Sequence, residues 1–381
     1  MRYKLKDIFD LQMGKTPSRN NSEYWNTEDY KWISIADLGK SGKYISETKE
    51  YLSESAVTDS GIKVIPANTV VMSFKLSIGK TAITAEDMYS NEAIMAFHDR
   101  HVVDILPEYI YYMFKYKNWD EGSNKAVMGK TLNKATLSEV EIDICSMEEQ
   151  REIVNVLDKM MTVLEGREAE LALLDDLIKA RFVEMFGDIN INDKKWDVQP
   201  LGELCTIVRG GSPRPIEQFL GGDVPWIKIG DATDGESIYL NSTKEHIIEE
   251  GVKKSRLVKS GSLIFANCGV SLGFARIITF SGCIHDGWLA MEDIDERLDK
   301  VFLLQALNQM TDHFRTIAPS GTQPNLNTAI MKAYNQVIPP LALQKEYIVF
   351  VEQVNKSKVA VQKALDETQV LFDSLMQEYF G

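Results

Sequence analysis

The residues of this chain best able to do chemistry form a few small groups, and each group lacks a part that its chemistry requires. Gly-Lys-Thr occurs at Gly14–Thr16, Gly79–Thr81 and Gly129–Thr131. A phosphate-cradling loop, G-x-x-x-x-G-K-[ST], needs an earlier glycine as well. The positions that should hold it are Phe9, Phe74 and Asn124. Asp37, Glu47 and Lys49 offer two carboxylates and a lysine, a set that with a metal would suit phosphodiester hydrolysis. The histidines (His98, His101, His246, His285, His313) show no ligand spacing, and the cysteines (Cys145, Cys205, Cys268, Cys283) form no C-x-x-C pair. There is no G-x-S-x-G elbow and no Asn-Pro-Pro-Tyr-type motif for methylating a base amino group. The sequence reads as a binder without a metal or cofactor of its own.

Binding groups are better represented. Three kinds of loop mix glycine, hydroxyl, amide and basic side chains. The first holds Lys15, Thr16, Arg19 and Asn20 in one place and Arg209, Ser212 and Arg214 in another. The second holds Lys75 and Lys80, then Asn267 with Arg276 beyond it. The third holds Lys130, Thr131 and Asn133, then Thr322, Gln323 and Asn325. Glycine lets backbone N–H groups approach phosphates, and Arg or Lys supplies charge. Arg, Asn and Gln can also read base edges through paired hydrogen bonds. Any one such loop could be an ordinary turn. Three kinds, each present twice, are not required by core packing.

The doubling runs along the chain. Lys31-Trp32-Ile33-Ser34-Ile35-Ala36-Asp37 recurs as Pro225-Trp226-Ile227-Lys228-Ile229-Gly230-Asp231, 194 residues on. The same offset pairs Gly79 with Gly273, Leu132-Asn133 with Leu326-Asn327, Gln150 with Gln344 and Phe186-Gly187 with Phe380-Gly381. Leu5, Gly14 and Pro17 match Leu201, Gly210 and Pro213 at offset 196. A register held this long marks an internal duplication. It places Asn241 and Thr243 opposite Glu47 and Lys49, so the nuclease-like set is not kept.

Each repeat begins with a mixed part. Val70–Phe74, Ala93–Phe97, Leu263–Phe265 and Trp288–Met291 read as short buried strands, and Pro107–Lys117 as a helix with proline at its start. Each repeat ends in a long helix. In 149–187, Leu157, Leu164, Leu171, Ile178 and Met185 recur every seven residues. In 344–381 the column is Val351, Lys358, Leu365, Phe372 and Tyr379. A seven-residue apolar column makes a narrow seam suited to a partner helix. At 1.5 Å per residue such a helix spans roughly 58 Å, more than the width of one domain. The two are therefore expected to pack on each other.

At 381 residues, 44% hydrophobic and 26% charged, the chain has the size and composition of two or three globular domains. No apolar run reaches the roughly 18 residues of a membrane span, and the start lacks an export signal core. The sparse cysteines fit a reducing compartment, so the expected location is the cytoplasm. The net charge of −14 by itself opposes a nucleic-acid partner, but half of it lies on 149–199 and 344–381. The two mixed parts are near balance.

These features together resemble the specificity subunit of type I restriction–modification systems. The resemblance rests on the duplicated layout, Leu201-Gly202-Glu203-Leu204 with Gly210-Gly211-Ser212-Pro213, and the Pro225-Trp226-Ile227 strand. It rests also on Gly321-Thr322-Gln323-Pro324-Asn325-Leu326-Asn327 and the run Val337–Glu346. The first repeat departs from the last of these, with Ile144-Cys145-Ser146-Met147-Glu148-Glu149-Gln150 and no prolines.

The resemblance implies an α+β chain of two similar mixed α/β target recognition domains separated by two long helices in an antiparallel coiled coil. The expected division is 1–147 first recognition domain, 148–187 first helix, 188–199 linker, 200–341 second recognition domain and 342–381 second helix. Each domain would read half of a split, asymmetric site in double-stranded DNA. The helices would set the spacing and hold two methyltransferase subunits, and a motor-nuclease subunit would join for cleavage. S-adenosylmethionine, ATP and Mg would belong to those partners, and this chain would be non-catalytic. Two other readings stay open: an interaction scaffold that no longer reads DNA, and a nuclease built on Asp37, Glu47 and Lys49.

Overall fold

The computed structural model describes residues 1–25, 27–75, 77–119, 132–232, 238–269, 271–319 and 325–381. Two compact units emerge, one made of 1–168 with 363–381, the other of 169–362.

In the first unit, β1 (Phe9–Met13), β2 (Tyr44–Ile45), β3 (Val70–Ser73), β4 (Thr81–Thr84) and β5 (Ile94–Asp99) form a sheet of order β1-β5-β3-β4-β2. Only the β4–β2 edge is parallel. The second unit repeats the plan with β6 (Thr206–Arg209), β7 (Tyr239–Leu240), β8 (Leu263–Ala266), β9 (Ala275–Ile278) and β10 (Trp288–Glu292), in the order β6-β10-β8-β9-β7. The parallel edge recurs between β9 and β7. The apolar runs in the sequence are the central strands of these sheets. Val70–Ser73 and Leu263–Ala266 are buried at every position, as strands covered on both faces must be.

One face of each sheet packs on a second, smaller sheet that carries the repeated tryptophan. In the first unit this is Tyr30–Ile33 between Glu50–Leu52 and Tyr89–Ser90. In the second unit Leu220–Ile227 lies between Glu245–Ile247 and Gly282–Ile284. The other face packs on helices: α1 (Pro107–Tyr116) and the start of α2 (Met147–Phe186), or α3 (Lys300–Gln309) and the start of α4 (Leu341–Phe380). Of these, α1, α2 and α4 are the helices expected from Pro107 and the heptad columns; α3 was not read from the sequence.

Each long helix is unbroken over 40 residues, and its two ends serve different units. In the second unit, Phe182 and Phe186 from the end of α2 enter the core beside Phe302 of α3 and Tyr347 of α4. Phe182 stacks on Phe302 at 5.8 Å between ring centres, and Phe186 meets Tyr347 edge-on at 5.4 Å. The Tyr347 hydroxyl donates to the Ile178 carbonyl at 3.3 Å. Ion pairs Lys358–Asp175 at 2.6 Å and Arg181–Glu346 at 3.2 Å flank the seam. In the first unit, Met376 and Phe380 from the end of α4 pack near Leu157 of α2, and Phe380 meets Tyr109 at 5.4 Å. In each unit the start of one helix lies beside the end of the other, so the pairing is antiparallel.

A buried glutamine anchors each long helix to its own repeat. The Gln150 amide donates to the Asp104 and Cys145 carbonyls at 3.0 and 3.1 Å and accepts from the Leu106 N–H at 2.9 Å. Gln344 repeats this with the Arg297 and Pro339 carbonyls at 2.8 and 2.7 Å and the Asp299 N–H at 2.8 Å. All four cysteines are free thiols. Among the described residues no helix is long and apolar enough to cross a membrane.

Candidate nucleic-acid interface

The first-loop residues hang on one construction, built once per unit. Gly14 N–H donates to the Ile94 carbonyl at 3.1 Å and Lys15 N–H to the Ser90 carbonyl at 2.8 Å. In the second unit Gly210 donates to Trp288 at 2.9 Å and Gly211 to Ile284 at 3.0 Å. The approach is close enough to require glycine. A Cβ on Gly14 would lie 2.2 Å from the Asn91 carbonyl oxygen, and one on Gly210 would lie 2.1 Å from that of His285.

Above this clasp a hydroxyl meets a carboxylate. Thr16 Oγ1 donates to Glu92, and Ser212 Oγ donates to Asp286 Oδ1 at 2.7 Å. The Thr16 hydrogen bond holds the Glu92 carboxyl below the usual carboxylate range. Asp286 is also held low, because the Ser212 bond and the nearby His285, Arg214 and Arg209 outweigh its partial burial. Arg214 Nη2 stands 3.7 Å from Asp286 Oδ2, and Arg209 Nε donates to the Asp286 carbonyl at 3.0 Å. His285 accepts the Gly287 N–H on Nδ1 at 2.9 Å, which leaves Nε2 to carry the proton, 3.0 Å from Asp286 Oδ1. Burial lowers the His285 pKa, which favours the neutral ring.

The other residues divide by what already holds them. Lys15 Nζ donates to the Ser60 carbonyl. Arg19 forms a fork with Glu50, 3.1 Å for the Nη2–Oε2 arm, and its guanidinium lies 3.7 Å from the Trp25 ring centre. Asn20 is exposed. Lys75 Nζ sits 5.2 Å from the Phe74 ring centre, and half-buried Lys80 lies over Gly39. Asn133 caps the short helix Lys134–Ser138 by accepting the Thr136 N–H at 2.9 Å. In the second unit Asn267 is fully buried, with neither side-chain polar atom hydrogen-bonded. Its backbone bonds Gly287 and Leu326, next to the Cys268–Asn325 bridge, and the Asn325 Oδ1 is buried and unbonded too. Arg276 lies 5.0 Å from the Phe274 ring centre, and burial lowers its pKa. Lys130, Thr131, Thr322 and Gln323 lie outside the described residues.

Asp37 has a different job from the nuclease reading. Its Oδ2 accepts the Ser34 N–H and hydroxyl at 2.8 and 2.7 Å, and its Oδ1 the Lys49 N–H at 3.3 Å. Asp231 does the same, accepting from Lys228 N–H and the Thr243 hydroxyl, both at 2.8 Å. Both carboxylates fasten chain turns. Among the described residues no group of three or more His, Cys, Asp or Glu could hold a metal ion. Sequence reasoning passed over Glu92, His285 and Asp286. The available signal was that Glu92 and Asp286 are both acids at offset 194, as Thr16 and Ser212 are both hydroxyls at offset 196.

A duplicated α/β module with paired surface loops and helices of 40 residues defines a chain built to hold two binding domains. The chain matches the type I restriction modification DNA specificity domain over residues 1–173 and 193–368, and it belongs to that family. It is 26% identical to the type I restriction enzyme MjaIX specificity subunit of Methanocaldococcus jannaschii, over 98% of this chain and 90% of that one. It is 29% identical to the EcoR124I/EcoR124II specificity subunit of Escherichia coli over 42% of this chain and 41% of that one. The fold is shared with a chain solved in work on complex assembly and conformational transition of the type I R-M system, with TM-score 0.65, 16% identity and coverage of 100% and 97%. The type I system S subunit from M. genitalium also shares it, with TM-score 0.53, 16% identity and coverage of 100% and 96%. Specificity subunits of these systems are the non-catalytic component that recognises DNA.

Proposed function

We propose that each unit reads one half of a bipartite, asymmetric site in double-stranded DNA, through the loops that carry Lys15, Arg19, Lys75 and Lys80 in one unit and Arg209, Ser212, Arg214, Asn267, Arg276 and Asn325 in the other. The observation that carries this is the same glycine clasp and hydroxyl–carboxylate pair in both units, under side chains that differ between them. A shared scaffold with divergent tips suits two modules reading two sequences. Thr16, Asn20, Lys130, Thr131, Asn133, Thr322 and Gln323 complete the set.

The recognition domains are 1–147 and 200–341, and the helices 148–187 and 342–381 set their separation and dock two methyltransferase subunits. Exposed apolar side chains on the helices, Leu173, Leu177, Val359, Val370 and Leu371 among them, support the docking role. S-adenosylmethionine, ATP and Mg belong to the methyltransferase and motor-nuclease partners, and the complex works in the cytoplasm.

The test is to map methylated bases in a host expressing this chain with its methyltransferase subunit. A bipartite motif that needs both proteins is expected. Methylation without any motif would overturn the reading in favour of a scaffold, which the internal pairing of Arg19 with Glu50 would suit.

A further inference from the structure

We propose that Glu92 and Asp286 are the positioning residues of the two DNA-reading loops: each carboxylate holds the hydroxyl of the loop that bears the cations, and so fixes where those cations stand at the end of the sheet. This rests on the reading of the units as DNA-binding domains.

Four observations carry it. First, the carboxylates come from the turns whose carbonyls already clasp Gly14 and Gly210, so backbone and side chain restrain the same loop twice. Second, the device is kept while its parts change. Thr16 with Glu92 becomes Ser212 with Asp286, a hydroxyl and an acid each time. A residue that read one base would not have to recur in both halves of an asymmetric site.

Third, Asp286 has little left to offer a base. Oδ1 takes the Ser212 hydroxyl with His285 Nε2 at 3.0 Å, and Oδ2 faces Arg214 at 3.7 Å. Fourth, an acid beside a polyanion is unfavourable by itself. Here it stands among cations: Arg214 Nη2 lies 3.7 Å from Asp286 Oδ2, and Arg209 Nε donates to the Asp286 backbone carbonyl at 3.0 Å. Without the acid, the Ser212 loop would lose its side-chain tether, and Arg214 its facing carboxylate.

The experiment maps methylation by the complex of this chain with its methyltransferase, for wild type, Ser212→Ala, Asp286→Asn, Thr16→Val and Glu92→Gln. Ser212→Ala and Asp286→Asn should relax preference at several base pairs of the second half-site, by about tenfold or more. The first half-site should keep its preference. Thr16→Val and Glu92→Gln should do the reverse. Ser212→Thr with Asp286→Glu installs the first repeat's pair and should restore second-half-site preference, a rescue that a merely structural effect on stability would not tie to one half-site.

Unchanged preference in variants that melt as wild type does would overturn the proposal. So would a change at a single base pair, which marks Asp286 as a base reader, or equal loss in both half-sites, which marks general destabilisation. If Asp286→Asn fails to fold, Ser212→Ala decides, because it removes one half-buried hydroxyl. A wild-type complex without a bipartite motif would instead sink the DNA-reading assignment itself.

Discussion

Ser212 Oγ donates to Asp286 Oδ1 at 2.7 Å across 74 residues of chain, and Thr16 makes the equivalent bond to Glu92 in the other repeat. Each bond joins a loop after the first strand of the sheet to the turn before its last, β1 to β5 or β6 to β10. Those strands are direct neighbours, so antiparallel register brings the two ends together.

The Glu92 bond should appear in the pH dependence of stability. Its carboxyl is depressed in the folded chain chiefly by the Thr16 hydroxyl. A depressed carboxyl contributes stability above its unfolded value and loses it as pH falls through the folded one. Wild type should therefore exceed Thr16→Val in melting temperature near neutral pH, and the gap should shrink as pH drops below the usual carboxylate range. Melting curves from pH 7 to pH 3 would read this. A constant gap would mean that the hydroxyl does not stabilise the ionised form.

Gln150 and Gln344 should matter equally in their own units. Each satisfies two carbonyls and one N–H in a buried place. Alanine at either position strands those groups and should destabilise by about 1–3 kcal/mol. The two sites share no partner, so the double variant should lose the sum. Urea denaturation of the singles and the double measures both statements, and a free energy unchanged by Gln344→Ala would contradict the anchoring role.

Substitutions on one unit's loops should leave the other half-site alone. Substituting Arg209, Arg214 or Asn325 should reduce discrimination in the second half-site only, by about 1–3 kcal/mol where a base contact is lost. Loss of a phosphate contact should instead weaken all sequences alike and flatten the salt dependence. Salt-titrated binding by the methyltransferase complex separates the two, and an altered first half-site would refute independent reading.

Seven residues inserted at matched points in α2 and α4 keep the seam in phase. They add roughly 10 Å of helix, about three base pairs of B-DNA. Activity should fall, because the added rotation along the duplex misplaces one domain, and what survives should target the same half-sites with a longer spacer. Methylation mapping of the inserted variant gives the answer. An unchanged spacer would show that the helices do not set the distance.

The sequence by itself determined the duplication, the long helices and the central strands. These are local signals: an offset of 194, a seven-residue apolar column and short apolar runs bounded by turns. Trp32 and Trp226, read from the repeat, are buried in matching small sheets. Only tertiary structure decided where the helix ends go. Phe182 and Phe186 look like the apolar stripe of the first repeat's helix, yet they complete the core around Phe302 of the second repeat's domain. Nothing local distinguishes those destinations, because a buried phenylalanine needs apolar neighbours and not particular ones. The same holds for the site. Arg19 was legible as a cation, but its fork with Glu50 and its stacking on Trp25 depend on loops brought together by sheet pairing. Glu92 and Asp286 were two acids among 56 until strand register placed each against a hydroxyl.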